Sequence, residues 1–217
     1  SITAKASVRS SIGQIDTDFM LMRDGQFQGK FATTDFDLQR LADDNQLGNL
    51  TADLRLTGLL QKGRKPDVNL QGTIGQIDYH NYPFKNITVN GSYSADVIAG
   101  LFQIDDPNIV AEVKGEVMQA KNNAPGKINV NGSIRHLSPK ALNLTEQWGD
   151  AVFAGDISAD LVASSLKDAI GELRLSHFTM MKEGKKTYQL DNLLMMSDFE
   201  DDSHRVTLVS DFAKIDL

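Results

Sequence analysis

Carboxylates are the commonest reactive groups here: 29 Asp and Glu stand against 22 Lys and Arg, with no cysteine at all. Asp105-Asp106-Pro107-Asn108 places two carboxyls side by side, the raw material of general acid–base chemistry. The same tetrad is a turn signature, because Pro fixes φ and short Asp and Asn side chains bond back to a turning backbone. We read it as a turn. Asp198-Phe199-Glu200-Asp201-Asp202 is dense enough to suggest calcium. It lacks the Gly at the sixth loop position and the bidentate Glu at the twelfth that a calcium loop needs, and reads as a solvated hairpin tip. His80, His136, His177 and His204 are dispersed, without the spacing of a zinc helix. The lack of cysteine removes disulfides, thiolate metal sites and thiol nucleophiles together. Neither a Gly-x-Ser-x-Gly elbow nor a Gly-x-x-x-x-Gly-Lys phosphate loop occurs. These residues predict no enzyme, no metal and no cofactor.

Charge and length bound the rest. A net charge of −7 opposes binding of a phosphate backbone, which needs clustered cations to displace counterions, so no nucleic-acid partner is expected. The densest basic stretches, Lys62-Gly63-Arg64-Lys65 and Lys182 through Lys186, sit beside Gly and read as solvated turns. No run approaches the roughly 18 apolar residues of a membrane-spanning helix. The opening Ser1-Ile2-Thr3-Ala4-Lys5 has neither an initiator Met nor a signal-peptide core, so the chain reads as an interior stretch of a longer one. The Asn-x-Ser/Thr sequons at Asn49, Asn86, Asn90, Asn131 and Asn143 read as Asn-rich strand ends.

The elements that must carry these residues are strands. In Leu50–Leu60 the even positions are Leu, Ala, Leu, Leu, Gly and Leu, while Thr51, Asp53, Arg55 and Thr57 alternate with them. Successive strand side chains point to opposite faces, so this stretch has one apolar and one wet face. The pattern returns in Ile87–Tyr93, Ile109–Val117, Lys127–Arg135, Asp156–Ala163, Glu172–His177 and Arg205–Phe212, with Gly, Pro, Asn and Asp turns between. Two segments break it, Thr34–Ala42 and His136–Leu144. Both are expected as short helical turns that carry Leu38, Leu41, Leu137 and Leu142 to the apolar side, the second capped by Ser138 with Pro139 in its first turn.

Internal likeness is present but degenerate. Gly48-Asn-Leu-Thr-Ala-Asp-Leu54 matches Gly155-Asp-Ile-Ser-Ala-Asp-Leu161, and a Gly-led strand opens both 72–93 and 171–199. We divide the chain into approximate units 31–135 and 136–217, preceded by a truncated one, all within a single continuous β segment over 1–217. The word Ile-Gly-Gln-Ile-Asp occurs at 12–16 and 74–78. Its two isoleucines lie three apart, so a regular strand would aim them at opposite faces. The glycine between them, Gly13 or Gly75, therefore predicts a bulge or bend.

Gly72–Ile74, Tyr79 and Tyr82, Asn86–Val89, Asp105–Asn108 and the crosspiece Leu137–Leu144 follow in an order that resembles the TamB-like proteins of Bacteroidetes, within the AsmA-like group. The stretch 36–58 fits the same group. The resemblance implies a periplasmic segment of a protein anchored in the inner membrane of a Gram-negative bacterium. It implies an all-β fold: an elongated, curled antiparallel sheet, a trough with an apolar lining and short helical crosspieces. It implies carriage of phospholipid acyl chains toward the outer membrane, or help in β-barrel assembly there. Partners would then be flanking repeats of the same chain and an outer-membrane barrel-assembly component.

Alternation alone leaves two architectures open. One apolar face per strand must be covered, and the ordinary solution is a sandwich of two sheets about 10 Å apart. A curled sheet that does not close gives the same pattern, with acyl chains completing the burial. An outer-membrane barrel would want aromatic girdles, and aromatics are 7% of this chain. On the trough reading the lining is Leu54, Leu56, Ile74, Ile87, Val89, Ile109, Val113, Ile128, Val130, Ile134, Ile157, Leu161, Leu173, Leu175, Val206 and Leu208. On the sandwich reading the same residues are plain β core. Met180, Met181, Met195 and Met196 are soft apolar side chains that suit either.

Overall fold

The computed structural model describes residues 1–42, 44–121, 124–163, 169–200, 203–212 and 214–216. Among them the strands are β1 (Ile2–Ser10), β2 (Gly13–Leu21), β3 (Gln26–Asp37), β4 (Leu47–Leu59), β5 (Asp67–Tyr79), β6 (Tyr82–Ser94) and β7 (Val97–Asp106). They continue as β8 (Ile109–Met118), β9 (Gly126–Leu137), β10 (Val152–Ala163), β11 (Ile170–Lys182), β12 (Lys185–Glu200), β13 (Ser203–Ser210) and β14 (Lys214–Asp216). One helix, α1 (Leu38–Ala42), links β3 to β4.

All fourteen strands join one sheet in chain order, β1 to β14, every pair antiparallel. The first and last strands are not neighbours, so the curled sheet stays open. The sandwich that alternation alone favours does not form: a pure meander pairs each strand with its sequence neighbours and leaves no second sheet to lie across the first. Contacts between elements run between neighbours in the sheet and from α1 to β4.

Register brings the apolar positions onto one face. Ile74 stands opposite Ile87, Ile87 opposite Ile104, Ile104 opposite Ala111, and Ala111 opposite Ile134. The Ile87, Ile104 and Ala111 side chains form the most buried cluster, with Ile77, Phe84 and Ile109 packed against it. Toward one end of the sheet Leu54 opposes Phe31 and Gly72. Toward the other, Ile157 opposes Leu175, which opposes Leu193.

Bulges cross the sheet along the edge where the odd-numbered strands end. Gly75 is an extra residue of β5 against β4, Arg135 of β9 against β8, and His177 of β11 against β10. A bulge reverses the alternation, so Ile74 and Ile77, three apart, both reach the same cluster. The expected bend at Gly75 is therefore present. Gly13, its counterpart, begins β2 with φ of 112°, and a Cβ there would lie 2.5 Å from the Asp35 carbonyl oxygen. The sequence likeness of β4 to β10 also has a geometric echo. Gly72 opposes Leu54 and Gly171 opposes Leu161, and both adopt positive φ that a side chain would not tolerate.

Both irregular connections carry the short helical turn expected of them, over fewer residues. Thr34–Asp37 continue β3, and only Leu38–Ala42 are helical, with the Asp37 carboxylate capping the Arg40 N–H at 3.2 Å. Leu137 ends β9, and a helical turn follows it, with Leu142 N–H donating to the Ser138 carbonyl at 3.1 Å. A hydroxyl beside Pro139 starts such a turn readily, and Asn143, with φ of 58°, ends it as Leu144 N–H donates back to the Pro139 carbonyl at 2.9 Å. This crosspiece is tied back across the sheet edge. Ser138 N–H donates to Asn108 O, and the Asn143 amide donates to the carbonyls of His80 and Asn81. It thus passes the ends of β8 through β5, and Leu142 in it is completely buried.

Candidate functional site

All sixteen lining positions fall on the single face defined by this register. Leu54 and Leu56 in β4, Ile74 in β5, Ile87 and Val89 in β6, and Ile109 and Val113 in β8 share it. Ile128, Val130 and Ile134 in β9, Ile157 and Leu161 in β10, Leu173 and Leu175 in β11, and Val206 and Leu208 in β13 continue it. The methionines divide: Met195, opposite Leu173 and Leu208, lies on this face, while Met196, opposite Glu172 and Thr207, lies on the other.

Strand β7 supplies two members that periodicity missed, Phe102 and Ile104. Phe102 opposes Val89 and Val113, and Ile104 opposes Ile87 and Ala111. Val97, Ala99 and Leu101 occupy the alternate positions of the same strand, so both of its faces read as apolar. Neighbouring strands resolve the ambiguity, and a single strand's pattern does not.

The face is graded. At the bulged edge it is covered, with Ile87 and Ile104 each 4% exposed. Along β7 toward the opposite edge, Phe102 is 40% exposed and Ile98 48%. The cause is local: Gly91, Gly100 and Gly115 face one another across β6, β7 and β8, leaving a strip without side chains beside Phe102 and Ile98. Ile157, opposite Gly132, is left 37% exposed in the same way. Large apolar side chains standing over glycine belong to a surface, since a close-packed interior fills such gaps.

The opposite face is mostly polar, apart from Val97, Ala99 and Leu101 of β7 and Leu194 and Met196 of β12, and carries cross-strand ion pairs, Lys5 with Asp18 at 2.9 Å and Lys30 with Asp53 at 3.1 Å. His177 sits 2.9 Å from Asp156, and hydrogen bonds from His177 and Ser133 hold that carboxyl below its usual range. A shallow depression of about 740 Å³ on this face is lined by Asn90, Lys114, Glu116 and Asn131. Among the described residues no three His, Asp or Glu side chains converge as metal ligands.

Asp105 and Asp106 do not act as a pair. Asp105 is exposed, whereas Asp106 is buried at 2% exposure at the covered end of the apolar face. The Asp106 carboxylate accepts from the Tyr82 hydroxyl, from Lys85 N–H at 3.0 Å and from Asn108 N–H at 2.9 Å. The Asn108 amide closes the network by donating to Tyr82 Oη at 3.0 Å. Burial, and then the carboxylate beside it, raise the Tyr82 pKa above that of an ordinary phenol. Each polar atom is thereby occupied, and the tetrad is a latch between β6 and the β7–β8 turn. Asp201 and Asp202 of the other acidic stretch lie outside the described residues.

Comparison with known proteins gave no matching family model, no matching curated protein and no matching solved structure.

Proposed function

We propose that this chain is a segment of a periplasmic lipid-transfer protein, and that its apolar face shields the acyl chains of phospholipids in transit. One observation carries the reading: a single apolar face runs across consecutive strands, is lined by aliphatic and aromatic side chains and glycine, and is overlaid by no second sheet among the described residues. Apolar surface left to water on this scale marks an interaction site. Each methylene moved onto it gains about 0.8 kcal/mol, and no specific pocket is required. A graded, pocketless surface holds chains without trapping them. The resemblance to TamB-like proteins supplies the setting, an envelope protein anchored in the inner membrane whose flanking repeats continue the sheet. In that setting the outer edge of β1, exposed along its whole length, accepts a further strand.

The test is site-specific crosslinking. A photo-reactive residue at Leu56, Val89 or Val130 is expected to form covalent phospholipid adducts in a Gram-negative host, and one at Asp53, Asn90 or Asn131 on the polar face is not. Equal labelling of both faces, or none at the apolar positions while a known lipid-binding control labels, would sink the proposal.

A further inference from the structure

Cations gather on one long edge of the sheet across its middle strands. The connections β2–β3, β4–β5, β6–β7 and β8–β9 lie along one edge and carry Arg23, Lys62, Arg64, Lys65 and Lys121, with only Asp24 and Asp96 to oppose them among their described residues. On the other edge Arg40 pairs with Asp37, and Lys140 with Glu146 and Asp150, while the β11–β12 turn carries Lys182, Lys185 and Lys186 around Glu183. Across its middle strands a chain with a net charge of −7 thus gathers four cations, Lys62, Arg64, Lys65 and Lys121, on one edge.

The cations nearest the apolar face are fixed. Lys65 from β4–β5 and Lys121 from β8–β9 converge on the single carboxylate of Asp96 in the β6–β7 turn, the Asp67 carboxylate beside Ser94 balances the second ammonium, and Lys62 and Arg64 of the β4–β5 connection supply the excess positive charge at this end. Tyr93 places this cluster. Its side chain belongs to the apolar face, opposite Val68 and Ile98, and its hydroxyl reaches Asp96 at 3.4 Å. The ammonium pair therefore stands at the open end of the face, where Ile98 and Phe102 are exposed beside the glycine strip. From Ser94 to the covered Ile87 the strand runs seven residues, about 23 Å at ~3.3 Å each. The ~30 Å hydrocarbon core of a bilayer gives each leaflet about 15 Å, so one acyl chain fits along this stretch.

We infer that the face takes anionic phospholipids in one orientation: the headgroup phosphate lies at the Lys65–Lys121 edge, and the tail runs along β6–β8 toward the cluster of Ile87 and Ile104. This rests on the lipid-transfer reading and adds a headgroup preference and a direction to it. Lys62 and Arg64, in the same connection as Lys65, extend the cationic edge past the fixed pair. The Asp96 carboxylate orients the two ammonium groups and tempers their field, so headgroups are attracted without being locked in place.

The test uses the whole chain with Trp148→Phe, carrying either Ile98→Trp near the cationic edge or Phe102→Trp deeper on the face. Each is mixed with phosphatidylcholine vesicles containing phosphatidylglycerol with a doxyl quencher either near its headgroup or near its tail end. The expected result is stronger quenching of the tryptophan at 98 by the headgroup-proximal label and of that at 102 by the tail label. Lys65→Gln with Lys121→Gln should weaken retention of phosphatidylglycerol by about fivefold per lysine and leave phosphatidylcholine unchanged. Asp96→Asn, which keeps a residue tolerant of the positive φ at that turn, should strengthen it. Lipid binding with the depth order reversed, or with no difference between the two headgroups and no effect of the lysine changes, overturns this inference and leaves the lipid-transfer reading standing. Quenching of neither tryptophan by either lipid overturns both.

Discussion

Removing the Asp106 carboxylate tests whether the acidic tetrad is a structural latch. Asp106→Ala strips the acceptor from three donors, Tyr82 Oη, Lys85 N and Asn108 N, at a position only 2% exposed. An unsatisfied buried donor costs ~1–3 kcal/mol. Lys85 is exposed and Asn108 half-buried, so water recovers part of that loss, and the sum comes to about 2–5 kcal/mol. Asp106→Asn keeps one acceptor oxygen but turns an amide donor toward donors, and should cost about half as much. The sheet is held by neighbour-to-neighbour contacts, so the damage is expected to be local. Hydrogen exchange followed by mass spectrometry is the matching assay. Amides of β6, β7 and the start of β8 should exchange about 30-fold faster or more, while β2 and β12 keep their protection. Unchanged exchange in β6–β8, or a uniform increase over the whole sheet, would refute the latch.

Three further outcomes follow from the same geometry. Gly100→Val places a Cβ 2.8 Å from Asn90 O and 2.9 Å from the Gly91 Cα, atoms of backbone that cannot swing aside, and should cost at least about 2 kcal/mol in urea unfolding. Gly75→Ala meets nothing closer than 3.7 Å and should cost less than about 1 kcal/mol in the same titration. Deleting Gly75 removes the bulge yet leaves Ile74 and Ile77 two apart and on one face, whereas deleting Thr73 sends one side of β5 to the wrong face; circular dichroism should report folded protein for the first and not for the second. Hydrogen bonds from Lys65 and then Lys121 lower the Asp96 pKa below its ordinary 3.8, and Asp96 raises that of Lys65 above 10.5. The cluster's contribution is therefore full between those two values. It is lost as pH falls through the depressed carboxyl value or rises through the elevated amine value. Carboxyl NMR of Asp96 should titrate below 3.8, and a midpoint at or above it would contradict the cluster.

Legibility varied with the cleanness of alternation. In Leu50–Gly58 of β4, Ile87–Tyr93 of β6 and Lys127–Arg135 of β9 only one parity is apolar, so the inward residues of these stretches are legible directly, and they lie on a common face. Strand β7 was opaque because both parities are apolar, and Ile104, among its most buried residues, went unnoticed. The row of bulges was read only at the repeated Ile-Gly-Gln-Ile-Asp. The same three-residue apolar spacing recurs at Ile134/Leu137 and Leu175/Phe178, where no glycine announces it. Lys62–Lys65 reads as a solvated turn in the sequence because it sits beside Gly63, and nothing local links it to Lys121, 56 positions on. Only the meander puts their turns on either side of Asp96.

Local chemistry written into the sequence determines that this is an all-β chain with one apolar and one polar side to its strands. Period-two alternation and turn-forming residues act over a few positions, so they survive without knowledge of the neighbours. Whether that apolar side is sealed or open was not in the alternation, because a sandwich and an open sheet present the same pattern. Pairing order decided it: fourteen strands joined in sequence form one sheet, and the facing glycines of β6–β8 hold part of its apolar face clear of side chains. The gradient from covered to exposed, and the convergence of Lys65 and Lys121 on Asp96, arise from that pairing because both depend on residues from distant turns meeting across the sheet.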